Sequence, residues 1–175
     1  NVDRLRYLED IFMGRIETLY SNRFNLAKAT RYADLVVGAV LIPGGKTPKL
    51  ITHEMVKNMQ PGSVIVDVGI DQGGCVETIE YPTTHAEPVF VKHGVIHYAV
   101  SNIPGAVPQT STLALTNATL AYVVDIAKKG WKQAALDDEA LKKGINIING
   151  KIANEAVARA HNLPYYSLEK ILKEI

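Results

Sequence analysis

Cysteine is almost missing from this 175-residue sequence: Cys75 stands alone, so no internal disulfide can form and the fold must rest on packing. A solitary thiol fits a reducing compartment, and a cytoplasmic location is the expectation. Long hydrophobic runs are missing too. The longest, Leu35 to Pro43, falls far short of the roughly 18 residues that a spanning helix requires, so no membrane partner is expected. Charge of one sign is also lacking. The chain carries 19 Lys and Arg against 18 Asp and Glu, with no basic run and no interleaving of basic and aromatic residues, which argues against nucleic acid as a partner. The glycine fingerprint Gly-x-Gly-x-x-Gly of dinucleotide folds is absent as well, because Gly44-Gly45 and Gly73-Gly74 do not have its spacing. What is present is apolar: 47% of residues are hydrophobic, enough for a sizeable core in one domain or in parts of two.

The most informative stretch is Ser63 to Cys75. Val64, Ile65, Val66 and Val68 form a short β-branched run opened by Pro61-Gly62, the pattern of a strand buried on both faces of a parallel sheet. The chain then turns polar at Asp71 and Gln72 and flexible at Gly73 and Gly74. In open α/β sheets the carboxyl edge of the strands is where ligands bind. A carboxylate at that edge either caps a turn or faces a ligand and handles a proton or a water, and composition alone leaves both open.

Around that stretch the pattern alternates. Asp3 to Met13 has the spacing of an amphipathic helix closing at Gly14, and Arg15 to Tyr20 alternates as an edge strand would. Ser21 and Asn22 open a second helix over 24–32, and Asp34 to Leu41 reads as a buried strand followed by the punctuated loop 42–48. Thr52 to Met59 reads as a helix, 89–91 and 95–100 as a hairpin around Lys92-His93-Gly94, and 110–129 as a long helix with a broad apolar face, expected to be core. A helix over 131–141, a strand and turn over 145–150, and helices over 152–161 and 167–175 complete the chain. This order argues for a doubly wound α/β sheet with polar loops after Leu41, Gly69 and Val100 on one edge. His93 and His97 are separated by the turn and have no third ligand at metal spacing, so no metal site is expected.

Fold class alone supports only a ligand-binding α/β domain. The runs Gly38-Ala39-Val40-Leu41-Ile42-Pro43-Gly44, Pro48-Lys49-Leu50-Ile51, Met59 to Asp67 and Ile70-Asp71-Gln72-Gly73-Gly74-Cys75 closely resemble the L-alanine dehydrogenase family. So do Asn102 to Pro108, Thr110-Ser111-Thr112 and Leu115 to Thr119. The alanine dehydrogenase-like, NADH-binding domain of proton-translocating transhydrogenase is the nearest alternative, but it departs from the segment Asp71 to Cys75.

The resemblance implies a Rossmann-like doubly wound parallel sheet whose first part is missing, over 1–107, followed by the C-terminal segment of a split substrate domain over 108–175. It also implies that the helical pattern beginning at Asn1, with no initiator methionine, belongs to a longer chain. The glycine fingerprint, the ribose-binding acid, the catalytic His and the substrate-binding Arg and Lys would lie upstream. The implied activity is oxidative deamination of L-alanine to pyruvate and ammonia with NAD, by a soluble homo-oligomer, hexameric in this family. By resemblance Arg4 and Ser21 lie near the adenosine, and Arg4 leaves acceptance of a 2′-phosphate open. Val40 and Leu41 pack against the cofactor, and Val68, Gly69, Ile70, Asp71, Val100, Ser101, Asn102 and Ile103 wall its nicotinamide end. Asp71 becomes the catalytic carboxylate that handles water at the imine, and Asn102 a holder of the substrate carboxylate or the carboxamide. Cys75 reads as a packing residue, since no basic partner is evident in the sequence.

Overall fold

The computed structural model describes residues 1–174. Its contacts divide the chain into two compact units, one of residues 1–40 and 47–101, the other of residues 41–46 and 102–175.

The first unit is built on four strands, β1 (Leu35–Gly38), β2 (Val64–Asp67), β3 (Val89–Lys92) and β4 (Val95–Tyr98), in the order β1-β2-β4-β3. β1, β2 and β4 are parallel, with Val36 opposite Ile65 and Ile65 opposite His97. β3 closes one edge as an antiparallel hairpin partner of β4. The turn of that hairpin needs two residues with positive φ, supplied by His93 (56°) and Gly94 (74°). Helices α1 (Val2–Phe12), α2 (Arg23–Tyr32) and α3 (His53–Lys57) precede β1 or link β1 to β2. Each starts where a side-chain oxygen accepts a free backbone N–H: Asn1 from Arg4, Asn22 from Asn25, Thr52 from Met55. The expected parallel-dominated α/β sheet is therefore present.

Burial along the strands has period two, and it corrects the reading of strands covered on both faces. One face carries Ile65, Asp67, Val95 and His97, all buried, and packs against Val56, Met55, Met59, Val76 and Ile79. The other carries Leu35, Val37, Val89 and Val91, which are exposed by 57, 55, 49 and 66%. A run of apolar residues says that a strand can be buried, whereas which face finds a cover depends on the elements laid over it. His97 sits fully buried in the covered face. Its Nδ1 lies 2.9 Å from the Val95 carbonyl, its Nε2 2.8 Å from the Thr78 hydroxyl, and its ring stacks on Phe90 at 4.8 Å. The carbonyl fixes Nδ1 as the protonated nitrogen, so Nε2 accepts from Thr78.

Arg15 to Tyr20 is not a strand. A strand requires a neighbour to bond with, and here Thr18 instead donates to Glu9 at 2.6 Å while the Tyr20 carbonyl accepts from the Asn25 amide at 2.8 Å.

The second unit holds α4 (Pro108–Lys129), α5 (Trp131–Asp137), α6 (Glu139–Gly144), the hairpin β5 (Ile147–Ile148) and β6 (Lys151–Ile152), α7 (Glu155–His161) and α8 (Leu168–Glu174). Its core is Ile148, Ala153, Ile171 and Leu172. Asn149 and Gly150, both with positive φ, make the tight β5–β6 turn. The single helix expected over 131–141 is two, because Asp138 leaves helical geometry and caps α6, accepting from the N–H groups of Ala140 and Leu141. The long helix α4 buries none of its residues, which overturns its expected role as core within the described residues. The helix expected over 167–175 is seen as α8; Ile175 lies outside the described residues. Among the described residues no helix is long and apolar enough to cross a membrane.

Candidate functional site

The carboxyl end of β2 passes directly into a five-residue 3-10 turn, Val68–Gln72. Ile70 turns inward and anchors the turn in the core, while Asp71 stands on its exposed side. Gly73 (φ 95°) and Gly74 (φ 70°) then reverse the chain in left-handed geometry that a side chain would resist. The Ser101 hydroxyl, just past the end of β4, donates to Asp71 Oδ1 at 2.7 Å. Two strand ends thus meet through one hydroxyl–carboxylate bond.

Asp67 ties down the amides of the turn and of the loop that follows it. Fully buried, Asp67 accepts from the N–H of Gly69 (3.1 Å) through Oδ1 and from those of Cys75 (2.8 Å) and Val76 (3.2 Å) through Oδ2. Glycines surround it. A Cβ on Gly74 would lie 2.7 Å from Oδ2, and one on Gly69 or Gly38 would lie 3.4 or 3.6 Å from Oδ1. Gly74 therefore makes room for the Asp67 carboxylate. From the outer side Lys49 Nζ donates to the carbonyls of Gly73 (2.8 Å) and Val76 (3.1 Å), and the Thr47 N–H donates to that of Gln72 (2.9 Å). Sequence reading passed over Asp67, yet it falls on the same phase as the buried Ile65, and a carboxylate at a buried phase requires hydrogen-bond partners.

Cys75 lies against Asp67, with Sγ 3.6 Å from Oδ1. Burial first, then the neighbouring carboxylate, pushes its thiol up to about 11. It is a packing residue with no thiolate at neutral pH, in keeping with its sequence reading.

The remaining expected residues take varied positions. Val40 is half-buried, and its carbonyl accepts from the Thr47 hydroxyl at 3.4 Å and lies 3.1 Å from where a Gly69 Cβ would be. Val68 is exposed, whereas Val100 is fully buried beside Thr83, with which it forms a bridge. Ser21 is exposed at the rim of a cleft of about 520 Å³ that also takes in Asn22, Arg23, Lys49, His53 and Glu77. Arg4 stacks over the Tyr7 ring at 4.7 Å on α1. Leu41, Asn102 and Ile103 belong to the second unit, where Leu41 is 67% exposed and Asn102 (φ 53°) precedes the short 3-10 turn Ile103–Ala106. The structure thus joins Asp71 to Ser101 by direct contact and sets the Val40 carbonyl beside Gly69. Among the described residues no cluster of His, Cys, Asp and Glu is arranged to hold a metal ion.

The family model described as "Alanine dehydrogenase/PNT, C-terminal domain" matches residues 1–155. The alanine dehydrogenase of Methanococcus maripaludis is 63% identical over 174 residues, which is 99% of this chain and 47% of that one. Those of Bacillus subtilis and Geobacillus stearothermophilus are 57% and 56% identical, over 99% and 98% of this chain and 46% of each. A solved L-alanine dehydrogenase superposes with a TM-score of 0.77 at 49% identity, covering 93% of this chain and 44% of that structure. The chain spans about half the length of the curated relatives it matches. Matched by the family model from its first residue through Glu155 and sharing its fold with a solved relative, the chain belongs to the alanine dehydrogenase/PNT C-terminal-domain family.

Proposed function

We propose that this chain is the C-terminal part of an NAD-dependent L-alanine dehydrogenase, acting in the reversible oxidative deamination of L-alanine to pyruvate and ammonia, with Asp71 as its acid–base group. One observation carries the assignment of Asp71: the residue is exposed on the turn at the carboxyl end of a parallel strand, and its carboxylate accepts from the Ser101 hydroxyl at 2.7 Å, while the N–H groups of Gly69, Cys75 and Val76 go to Asp67. Relatives that cover nearly all of this chain bear the name alanine dehydrogenase.

The strand ends suit a pyridine dinucleotide. Next to Asp71, Gln72 Oε1 is buried with no hydrogen-bond partner among the described residues, an acceptor that a ligand N–H group would satisfy. When bound, the dinucleotide supplies the hydride acceptor. Asp71 then takes a proton from the water that adds to the substrate's imine carbon, and its negative charge favours the cationic imine. Ser101 holds the carboxylate in the orientation that this proton transfer requires. A hexameric, cytoplasmic enzyme of amino-acid catabolism is the further expectation from the family resemblance.

The test is alanine-dependent reduction of NAD by the intact enzyme carrying this chain. Dinucleotide binding without alanine-dependent reduction would point instead to a transhydrogenase-type cofactor domain.

A further inference from the structure

We infer that Asp67 is a positioning residue for Asp71, and that with Lys49 it forms a two-sided clamp which sets where the Asp71 carboxylate stands. The inference rests on the reading of Asp71 as the acid–base group.

The geometry comes from both sides of one loop. From inside, the two oxygens of Asp67 accept from the N–H groups of Gly69, within the turn that carries Asp71, and of Cys75 and Val76, after it. From outside, Lys49 Nζ takes the carbonyls of Gly73 and Val76. The loop closes on itself between these holds, with Gly74 N–H donating to the Gly69 carbonyl at 3.0 Å and Gly73 N–H to that of Ile70 at 2.9 Å. Asp71 lies inside the closed segment. Its backbone can move only if one of these holds gives way, and its carboxylate is then aimed by Ser101.

A buried carboxylate is a costly way to cap a loop, since it must be taken out of water and fully hydrogen-bonded. An uncharged side chain would suffice where only closure mattered. What three bonds from one buried acceptor add is placement, because charge-assisted bonds are stronger than neutral ones. Placement matters at a proton-transfer site, where an error of about 1 Å can cost roughly a hundredfold in rate. The packing supports this account. Gly69 and Gly74 crowd the same carboxylate so closely that Gly74 has no room for a Cβ.

A double-mutant cycle in the intact enzyme separates placement from simple stability. Asp67→Asn is expected to lower kcat about tenfold to a hundredfold, with the KM for the dinucleotide changed less than about threefold. In the Asp71→Asn background the same substitution is expected to change the residual kcat by less than about twofold. Lys49→Met, on the exposed side of the loop, supplies a second arm should Asp67→Asn fail to fold: several-fold loss of kcat in the parent background and none in Asp71→Asn. An equal fold-loss in both backgrounds, or a parent kcat unchanged by both substitutions, would overturn the inference. A parent enzyme that does not oxidise alanine would overturn the underlying reading first, and this inference with it.

Discussion

The Ser101 hydroxyl donates to Asp71 Oδ1 at 2.7 Å, joining residues thirty positions apart in the chain. Each stands a few residues past the carboxyl end of its strand, Asp71 after β2 and Ser101 after β4, and the two strands are parallel neighbours. Parallel pairing therefore does for this site what no local sequence pattern could: it brings the ends of the two strands to one edge. The same pairing yields the first prediction.

Asp71→Asn should lower kcat for alanine oxidation by about a hundredfold or more, the usual contribution of a positioned acid–base group, with dinucleotide affinity kept. Ser101→Ala removes the aiming hydroxyl and leaves the carboxylate, so its loss should be smaller, about threefold to tenfold, and confined to kcat. Steady-state kinetics on both variants check this. A near-normal rate in Asp71→Asn would remove the residue from the chemistry.

Cys75 should resist modification in the native protein. Burial and the adjacent Asp67 carboxylate hold the thiol near 11, which leaves roughly a hundredfold less thiolate at pH 8 than an exposed cysteine has. Labelling with a thiol-reactive chromophore should therefore follow global unfolding, and Cys75→Ala should keep activity within about threefold. Rapid labelling under native conditions would show that the loop around Asp67 opens far more readily than its hydrogen bonds imply.

How much of this was legible in the sequence varies with the kind of constraint. The β2 run, the turn glycines and the acid at position 71 are local, and a β-branched apolar run followed by Asp71-Gln72-Gly73-Gly74 announces a strand end carrying a polar loop. The cap at Asp138 was less legible, since the strong helix formers Ala134, Ala135, Leu136, Ala140 and Leu141 on either side of it read as a single helix over 131–141. The task of Asp67 was not legible, because its partners at Gly69, Cys75 and Val76 become neighbours only once the loop has closed. Nor could periodicity reveal that Leu35 and Val37 are uncovered, or that α4 buries none of its residues, since an apolar side chain carries no record of whether something lies against it.

Acid should destabilise the fold through His97. Burial lowers its pKa in the folded state, outweighing the carbonyl of Val95, which raises it. An unfolded histidine titrates near ~6.5, so below that pH the unfolded chain binds a proton that the native chain refuses, and stability falls as pH drops. Above it both states are neutral there and His97 contributes no slope. Urea midpoints between pH 5 and 7 should decline toward acid, and His97→Gln should flatten that decline. The same variant should lose about 1–3 kcal/mol at pH 7, because Thr78 and Val95 lose well-placed partners.

The adjacent glycines of the β2 loop should respond unequally to the same substitution. Both have positive φ, 95° at Gly73 and 70° at Gly74, so alanine at either costs about 1 kcal/mol of backbone strain. Nothing lies within 4 Å of a Cβ at Gly73, whereas a Cβ at Gly74 would meet Asp67 Oδ2 at 2.7 Å and Ile70 Cδ1 at 3.1 Å. That carboxylate cannot step aside without loosening its bonds to Cys75 and Val76, so Gly74→Ala should cost about 2–4 kcal/mol in all. Denaturant midpoints of the two variants measure the difference directly. Equal losses would mean that Asp67 has slack in its cradle, and a side chain with slack could not hold Asp71 to the tolerance that proton transfer demands.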